Sequence, residues 1–523
     1  MRVAHIPRLS LVVVLLVASL LLCAPGCGGK TTGPADTATM QFYRNPEFPQ
    51  GYRNLLDYLP YPQHPFLAPN GSSNMHCDAY MSDSYEASGP LGLTPHVIRA
   101  CYGTDLNLPV TITFDSRGRI IAYVNRWAEG SYIMLIDPDT LDDLAYYALP
   151  PQRSGDLLHP LSDTSGGAYF VLDSEDRVVI ADRDNAVQVI QYSDEKGRFE
   201  LVWRYSLLSY LVPVERAPLG DRVQMAAPDW EGRLWFTTRY GVVGTIKPQS
   251  SLVSTIELAG EEIQNSFTIG EDGVYIVSDH ALYRFHADGT GRPVTDWRTE
   301  YDRGTQVKPG MIHQGSGTTP HLFGALVAIC DNAEPRMNVM FLRRSDGREV
   351  GQLPLFNEGQ STTENAMPGL VREGEDGLEY SLIIENNYGL VRTNLFQLGG
   401  CCGESAGGVS RVDLIPDGKG GYTCEEVWSS AENSCSTVPK LSLSNGLIYL
   451  YAYYWPEDIA GHAYQYYFTA IDFETGKTVF RVPVGEGMWY FDMGAPVTLG
   501  PDGGTAYIGT IGGLVRITDR PSG

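Results

Sequence analysis

VTITFDSRGRIIAYV, residues Val110 to Val124, sets two apolar runs on either side of a polar Asp-Ser-Arg-Gly turn. Runs rich in Val, Ile, Thr and Tyr at this length read as strands, and a Gly-containing turn between them makes an antiparallel hairpin. The same shape returns along the chain. It reads AYFVLDSEDRVVIA from Ala168, MAAPDWEGRLWFTT from Met225, SFTIGEDGVYIVS from Ser266 and VTLGPDGGTAYIGT from Val497. LSLSNGLIYLYAYY from Leu441 keeps it, with Asn445-Gly446 as the turn. HLFGALVAICD from His321 and VREGEDGLEYSLIIE from Val371 fill the intervals. A hairpin recurring at intervals of roughly 40–60 residues has the period of a propeller blade. The expected fold is all-β, a single β-propeller of seven or eight four-stranded blades over residues 106–520. A wrapping segment over 41–105 precedes it.

Composition agrees with many short strands. Only 19% of the 523 residues are charged, while Gly (57), Pro (33) and Tyr (31) are plentiful. Nothing at long range has helical periodicity, so the length is read as one repeat array rather than several domains.

The outer halves of the blades are legible too, in IMLIDPDTLDDLAYYAL from Ile133, VMFLRRSDGREVGQLPL from Val339 and FTAIDFETGKTVFRVPV from Phe468. In the last of these, Asp472 opens a turn and Gly476 supplies a positive φ. The run from Ala470 to Lys477 resembles the A-x-D-x-x-T-G-K repeat of quinoprotein-like β-propellers. That resemblance implies the architecture, and it brings two opposite functional expectations. Some propellers of the superfamily are dehydrogenases using pyrroloquinoline quinone; others are non-enzymatic lipoproteins of outer-membrane assembly.

GGCCGESAGG, Gly399 to Gly408, contains a G-x-S-x-G string around Ser405 and the vicinal pair Cys401-Cys402. The string resembles the nucleophile elbow of α/β-hydrolases. That elbow needs a strand before the Ser and a helix after it, whereas GVSRVDLIP follows here as a strand, so the segment is read as a loop inside a blade. The vicinal pair resembles the disulfide over the cofactor of some quinoprotein dehydrogenases. Those enzymes place the pair early in the chain and stack a Trp beneath the cofactor, which is not matched, and quinone is kept only as an alternative. The cysteines are read as structural staples: Cys77 with Cys101, and Cys401 or Cys402 with Cys424 or Cys435.

Residues 1–27 read as a targeting segment, in which Arg2 and Arg8 precede the apolar run LVVVLLVASLLLC. Ala24-Pro25-Gly26-Cys27 resembles a bacterial lipobox, which implies lipidation of Cys27 and attachment to the cell envelope. Residues 28–40 are small and polar, as a tether should be. Cleavage would remove two arginines and no acid from a chain already at net charge −24. Such a surface repels phosphate backbones, so nucleic acid is excluded as a partner and membrane contact is expected through the lipid alone.

Polar residues at the starts of the innermost strands should gather at the channel axis. Gln224, Thr319, His321 and Lys440 are read as contacts for a small polar ligand or a partner segment. Glu364, Asn365, Asn265 and Asp331 offer hard oxygens suited to Ca²⁺. Acid–Asn pairs of this kind resemble the calcium-dependent lactonase and arylesterase propellers, and that hydrolase is the second functional reading. Asp-Asn and Glu-Asn pairs also cap hairpins through their own backbone.

Overall fold

The computed structural model describes residues 31–32, 40–103, 107–126, 130–151, 165–390, 405–434, 437–454 and 464–519. The leader, Cys27, Cys401, Cys402 and Cys435 lie outside them. Eight antiparallel sheets follow one another along the chain. Their innermost strands are Asn107–Phe114, Val171–Leu172, Val223–Pro228, Thr268–Gly270, His321–Phe323, Gly369–Gly374, Lys440–Ser442 and Val497–Leu499. Every hairpin recognised in the sequence falls on the first two strands of one blade, and the blade number is eight.

Local chemistry explains why the hairpins form where they do. In the first three blades an aspartate sits at the end of the innermost strand and an arginine four residues on. Asp115 Oδ1 accepts the backbone N–H groups of Arg117 and Arg119 at 3.0 and 2.8 Å, while Oδ2 takes the Arg119 guanidinium at 2.7 Å. Asp173 with Arg177, and Asp229 with Arg233, repeat the arrangement. One carboxylate thus satisfies the turn's backbone donors and neutralises its own charge, which is the mechanism by which Asp favours such turns.

Blades are also docked to one another by a tryptophan device. Trp297, on the outer strand of the fourth blade, donates its indole N–H to Arg344 O at 2.9 Å, and its ring lies so close to Gly347 that a Cβ there would stand 2.5 Å from it. Trp428 of the sixth blade repeats this on the seventh, bonding Phe473 O at 2.9 Å and covering Gly476. Gly476 therefore has two reasons to lack a side chain: a φ of 67° and an indole face against its α-carbon. Asp472 holds the same turn by accepting Thr475 N and Oγ1 at 2.9 and 2.7 Å.

The segment before the first blade does more than wrap. Tyr43–Arg44 pairs with the outer strand of the seventh blade, and Pro95–Ala100 becomes the fourth strand of the eighth, against Gly513–Asp519. An early strand thereby closes the ring. Between these two contacts the chain enters the axis. Backbone N–H groups of Leu172, Ile269, Leu322, Gly369 and Leu441 donate to Ser73, Ala79, Tyr80, Ser82 and Asp83 carbonyls at 2.7–3.2 Å. Ser84–Tyr85 then pairs in parallel with Leu441–Ser442. The exposed edges of five innermost strands are satisfied by this axial plug rather than by water. Residues 73–85 are buried almost without break.

The staple expected between Cys77 and Cys101 is not made. Cys77 is an unbridged thiol inside the plug, donating to Ser84 O at 3.0 Å, whereas Cys101 follows the rim strand of the eighth blade. Cys424, half-buried on an outer strand, is likewise unbridged, which removes it as a partner for Cys401 or Cys402. Ser405 precedes the strand Val409–Pro416, and its hydroxyl accepts Gly407 N at 3.3 Å. No helix follows it, so Ser405 to Gly408 form a loop leading into the third strand of the sixth blade; Gly403 and Glu404 lie outside the described residues. Among the described residues no helix is long and apolar enough to cross a membrane.

Candidate functional site: the axial channel

The plug carries an ionic cluster to the middle of the molecule. His76 Nδ1 faces both oxygens of Asp83 at 3.2 and 3.1 Å, and the Lys440 ammonium bonds Asp83 Oδ1 and, at 2.6 Å, the Met75 carbonyl. Lys440 and Asp83 are wholly buried, and the His76 side chain is 5% exposed. Burial would push the Asp83 carboxyl up, but the Lys440 ammonium and His76 override it and hold it below its usual range. Asp78, two residues past His76, has no cation. Desolvation pushes it up to about 7, although Ser82 Oγ and the Tyr80 and Ser82 N–H groups bond it.

The chain bends sharply to make this cluster. Cys77, Met81 and Asp83 have φ values of 80°, 54° and 51°, left-handed conformations that cost a non-glycine residue about 1 kcal/mol or more each. The backbone N–H groups of Cys77, Met81 and Asp83 bond the Asn74, Asp78 and His76 carbonyls at 3.2, 3.2 and 3.1 Å, and Asp83 is further held by its ion pairs.

Of the residues expected at a ligand site, Lys440 reaches the axis, where it is engaged with the plug. Thr319 Oγ1 bonds Ser266 Oγ at 2.6 Å, bridging the fourth and fifth blades. Gln224 is buried on the innermost strand of the third blade. His321 is used otherwise. Its Nδ1 faces Met367 O at 2.7 Å and its Nε2 faces Tyr61 OH at 3.0 Å. Desolvation lowers its pKa to about 4, which suits a packed, neutral ring.

The four oxygen-bearing residues expected to hold calcium each have their own neighbours. Asn265 Nδ2 donates to Ser316 O and Thr318 O at 3.2 and 3.3 Å. Asn365 Nδ2 donates to Glu385 and to Thr437 O. Glu364 Oε1 accepts Ile312 N at 2.7 Å. Asp331 accepts Ala333 N and Asn338 N through Oδ1 and Asn338 Nδ2 through Oδ2, so it caps its own loop; burial raises its pKa to about 6. Among the described residues no three His, Cys, Asp or Glu side chains gather as metal ligands would.

A planar quinone across the axis would need an aromatic floor. The described tryptophans stand elsewhere: Trp235 on a second strand, Trp203, Trp297 and Trp428 on outer strands, Trp230 in a turn and Trp489 in a short 3₁₀ segment. Residues 73–85 occupy the axis along the five innermost strands they bond. These residues do not form a seat for that cofactor. A concavity off the axis, about 130 Å³ between the third and fourth blades, is lined by Trp230, Glu231, Glu271 and Asp272, among others, but Arg344 already pairs with both Glu271 and Asp272.

With this geometry in view, comparison with known proteins is informative about fold. No family model matches the chain. A curated protein of Archaeoglobus fulgidus, described only as uncharacterized, is 24% identical over 507 residues, covering 88% of this chain and 92% of its own. Among solved structures, a quinohemoprotein alcohol dehydrogenase from Comamonas testosteroni superposes with a TM-score of 0.52 at 10% identity, over 87% of this chain and 80% of that one. A second, from Pseudomonas putida HK5, gives 0.51 at 9% identity, over 86% and 80%. A europium-containing methanol dehydrogenase gives 0.50 at 10%, over 85% and 97%. The protein is an eight-bladed propeller of quinoprotein-like fold. Its axis is built differently from the seat that the sequence resemblance implies.

Proposed function

We propose that this chain is an exported, lipid-anchored propeller of the cell envelope that binds a small polar ligand in the mouth of its axial channel. The observation that supports it best is the plug. Backbone bonds to five of the eight innermost strands close the channel along part of its length. At or just before the strand starts stand neutral amides and hydroxyls, such as Asn265, Thr319, Asn365 and Thr437, beside the carboxylates Glu364, Glu385 and Asp492. Neutral polar groups on rigid strands recognise a ligand by hydrogen bonding. The hydrolase reading gains no support, because among the described residues no three His, Cys, Asp or Glu side chains group as metal ligands.

Incubating purified mature protein with pyrroloquinoline quinone and calcium, then assaying primary alcohols with an artificial electron acceptor, separates this reading from the dehydrogenase. We expect no turnover above the protein-free control and no rise in melting temperature. Turnover that saturates with the quinone would overturn the binding reading. The address is tested separately. Wild type should partition into detergent, and Cys27→Ser should release the protein or block its processing, whereas a Cys27→Ser chain that is processed and membrane-bound like the parent removes the lipid anchor.

A further inference from the structure

The tether meets the propeller at one end of one blade. Thr31–Thr32 adds a fifth strand to the eighth blade, antiparallel to Pro95–Ala100, with Thr31 opposite Arg99 and Thr32 opposite Ile98. Ala100 stands opposite Leu514 and Pro95 opposite Asp519, so Thr31 is at the Ala100 end of the blade. That end also carries Ile511 and Gly512, the turn beside which the first innermost strand starts: Asn107 N donates to Ile511 O at 3.0 Å. The third innermost strand starts in the same way, with Val223 N donating to Asn185 Oδ1 at 3.0 Å in the corresponding turn of the second blade. The tether therefore joins the face on which the connections between blades lie. Four residues lead from Cys27 to Thr31, a reach of at most about 14 Å.

The same face bears apolar residues that the core does not use. In the connection from the second blade to the third, Leu207, Val212 and Ala217 are buried, while Leu208, Val214 and Leu219 are 57, 64 and 65% exposed. Buried bonds brace this loop. Asp221 Oδ2 accepts Val212 N and the Thr238 hydroxyl, both at 2.8 Å, and its Oδ1 accepts Arg222 N and Tyr240 N at 2.9 Å. A braced backbone that turns three aliphatic side chains outward marks a contact surface. Val307, in the connection from the fourth blade to the fifth, is exposed on that face too. From Leu207 to Arg222 the charges cancel, Glu215 and Asp221 against Arg216 and Arg222. The net charge of −24 thus opposes contact with anionic lipid over the surface as a whole but not at this loop. The tether at the eighth blade, this loop and Val307 are spread round the ring. We propose that the face they share lies against the membrane, with Leu208, Val214 and Leu219 seated at the lipid surface. This orientation rests on the lipid anchor at Cys27 and adds an apolar contact to it, since a single flexible attachment leaves the body free to turn.

The test uses the full mature protein mixed with liposomes of phosphatidylethanolamine and phosphatidylglycerol and recovered by flotation. A polarity-sensitive fluorophore is carried at Val214→Cys, at Leu219→Cys, or at Leu55→Cys on the opposite face, where Asn54 N meets Asn445 O in the hairpin turn of the seventh blade. The parent protein, treated alike, gives the background from its own thiols, and all variants should keep its circular dichroism. Labels at 214 and 219 should shift to the blue and lose about half of their emission to brominated acyl chains, in low and high salt alike, as groups at the headgroup–acyl boundary do. The label at 55 should do neither. Protein that floats with 214 and 219 as water-exposed as 55 keeps the anchor and overturns the orientation. Labels at 214 and 219 that are shielded in native envelope membranes but not in pure lipid mean that a protein partner covers the loop, and the lipid contact is wrong. Protein that does not float removes the anchor and the orientation with it.

Discussion

Replacing Lys440 by Met should destabilise the protein by about 3–5 kcal/mol, seen as a lower urea midpoint with an unchanged slope. The side chain of Lys440 is 0% exposed and bonds Asp83 in the interior, so the variant leaves a carboxylate buried with only His76 beside it. Removing one member of a buried pair is costly because the other cannot be solvated, even where the intact pair contributes little net stability. The double variant Lys440→Met with Asp83→Asn should therefore recover more than half of the loss. The recovery is what identifies charge as the cause, since a cavity left by the shorter chain would persist in the double variant. A single variant costing under about 1 kcal/mol would mean that the plug is not held by this ion pair.

The plug marks the boundary of what could be read in the sequence. Blade hairpins were legible because their determinants are local. Asp115 and Arg119, or Asp472 and Thr475, meet within four residues, and strand alternation on either side needs no knowledge of the rest of the chain. Blade docking by Trp297 on Gly347 left a trace, an aromatic late in an outer strand and a glycine turn about fifty residues on, but the pairing of the two is a tertiary fact. SSNMHCDAYMSDSYE has neither period. Its backbone partners lie from about 100 to more than 350 residues away, in five different blades, and its turns use left-handed Cys77, Met81 and Asp83 where glycine would have been the visible signal. A segment read as a wrapping one thus carries two buried carboxylates, Asp78 and Asp83, to the axis.

The same limit explains the site residues. A strand start tells that a side chain is near the axis but not which way it faces. His321 turns between blades toward Tyr61 and Met367, while Lys440, one blade pair on, turns to the plug. Asp331 and Asn365 were chosen for oxygen chemistry, and Asp331 follows the alternative noted for such pairs, with its oxygens serving its own loop. His76 was visible as a histidine ahead of the first blade. Only the fold brings Asp83 to it, seven residues along a chain that has doubled back.

Asp78→Asn should stabilise the protein at and above pH 7 and leave it nearly unchanged near pH 4. In the folded state burial raises this carboxyl from its usual value, near 4, to about 7. A raised folded pKa means that the native state binds the proton more tightly than the unfolded chain does. The stabilisation from the protonated carboxyl is complete below about pH 4 and is lost as pH rises through about 7, where the native state must hold an uncompensated charge. A shift of this size corresponds to a few kcal/mol, at about 1.4 kcal/mol per unit. Asparagine keeps the carbonyl oxygen that accepts Tyr80 N at 2.9 Å and Ser82 N at 3.2 Å, and its amide can donate to the Ser82 hydroxyl, so the shape and most bonds survive while the charge does not. Urea titrations of both proteins from pH 4 to pH 8.5 would show the two stability curves coinciding at the acid end and diverging upward. Parallel curves across the range, or a variant less stable at pH 8 than at pH 4, would mean that Asp78 is ionised without penalty in the plug. The axis would then hold a counter-charge that its neighbours Ser82, Tyr80 and Tyr61 do not supply.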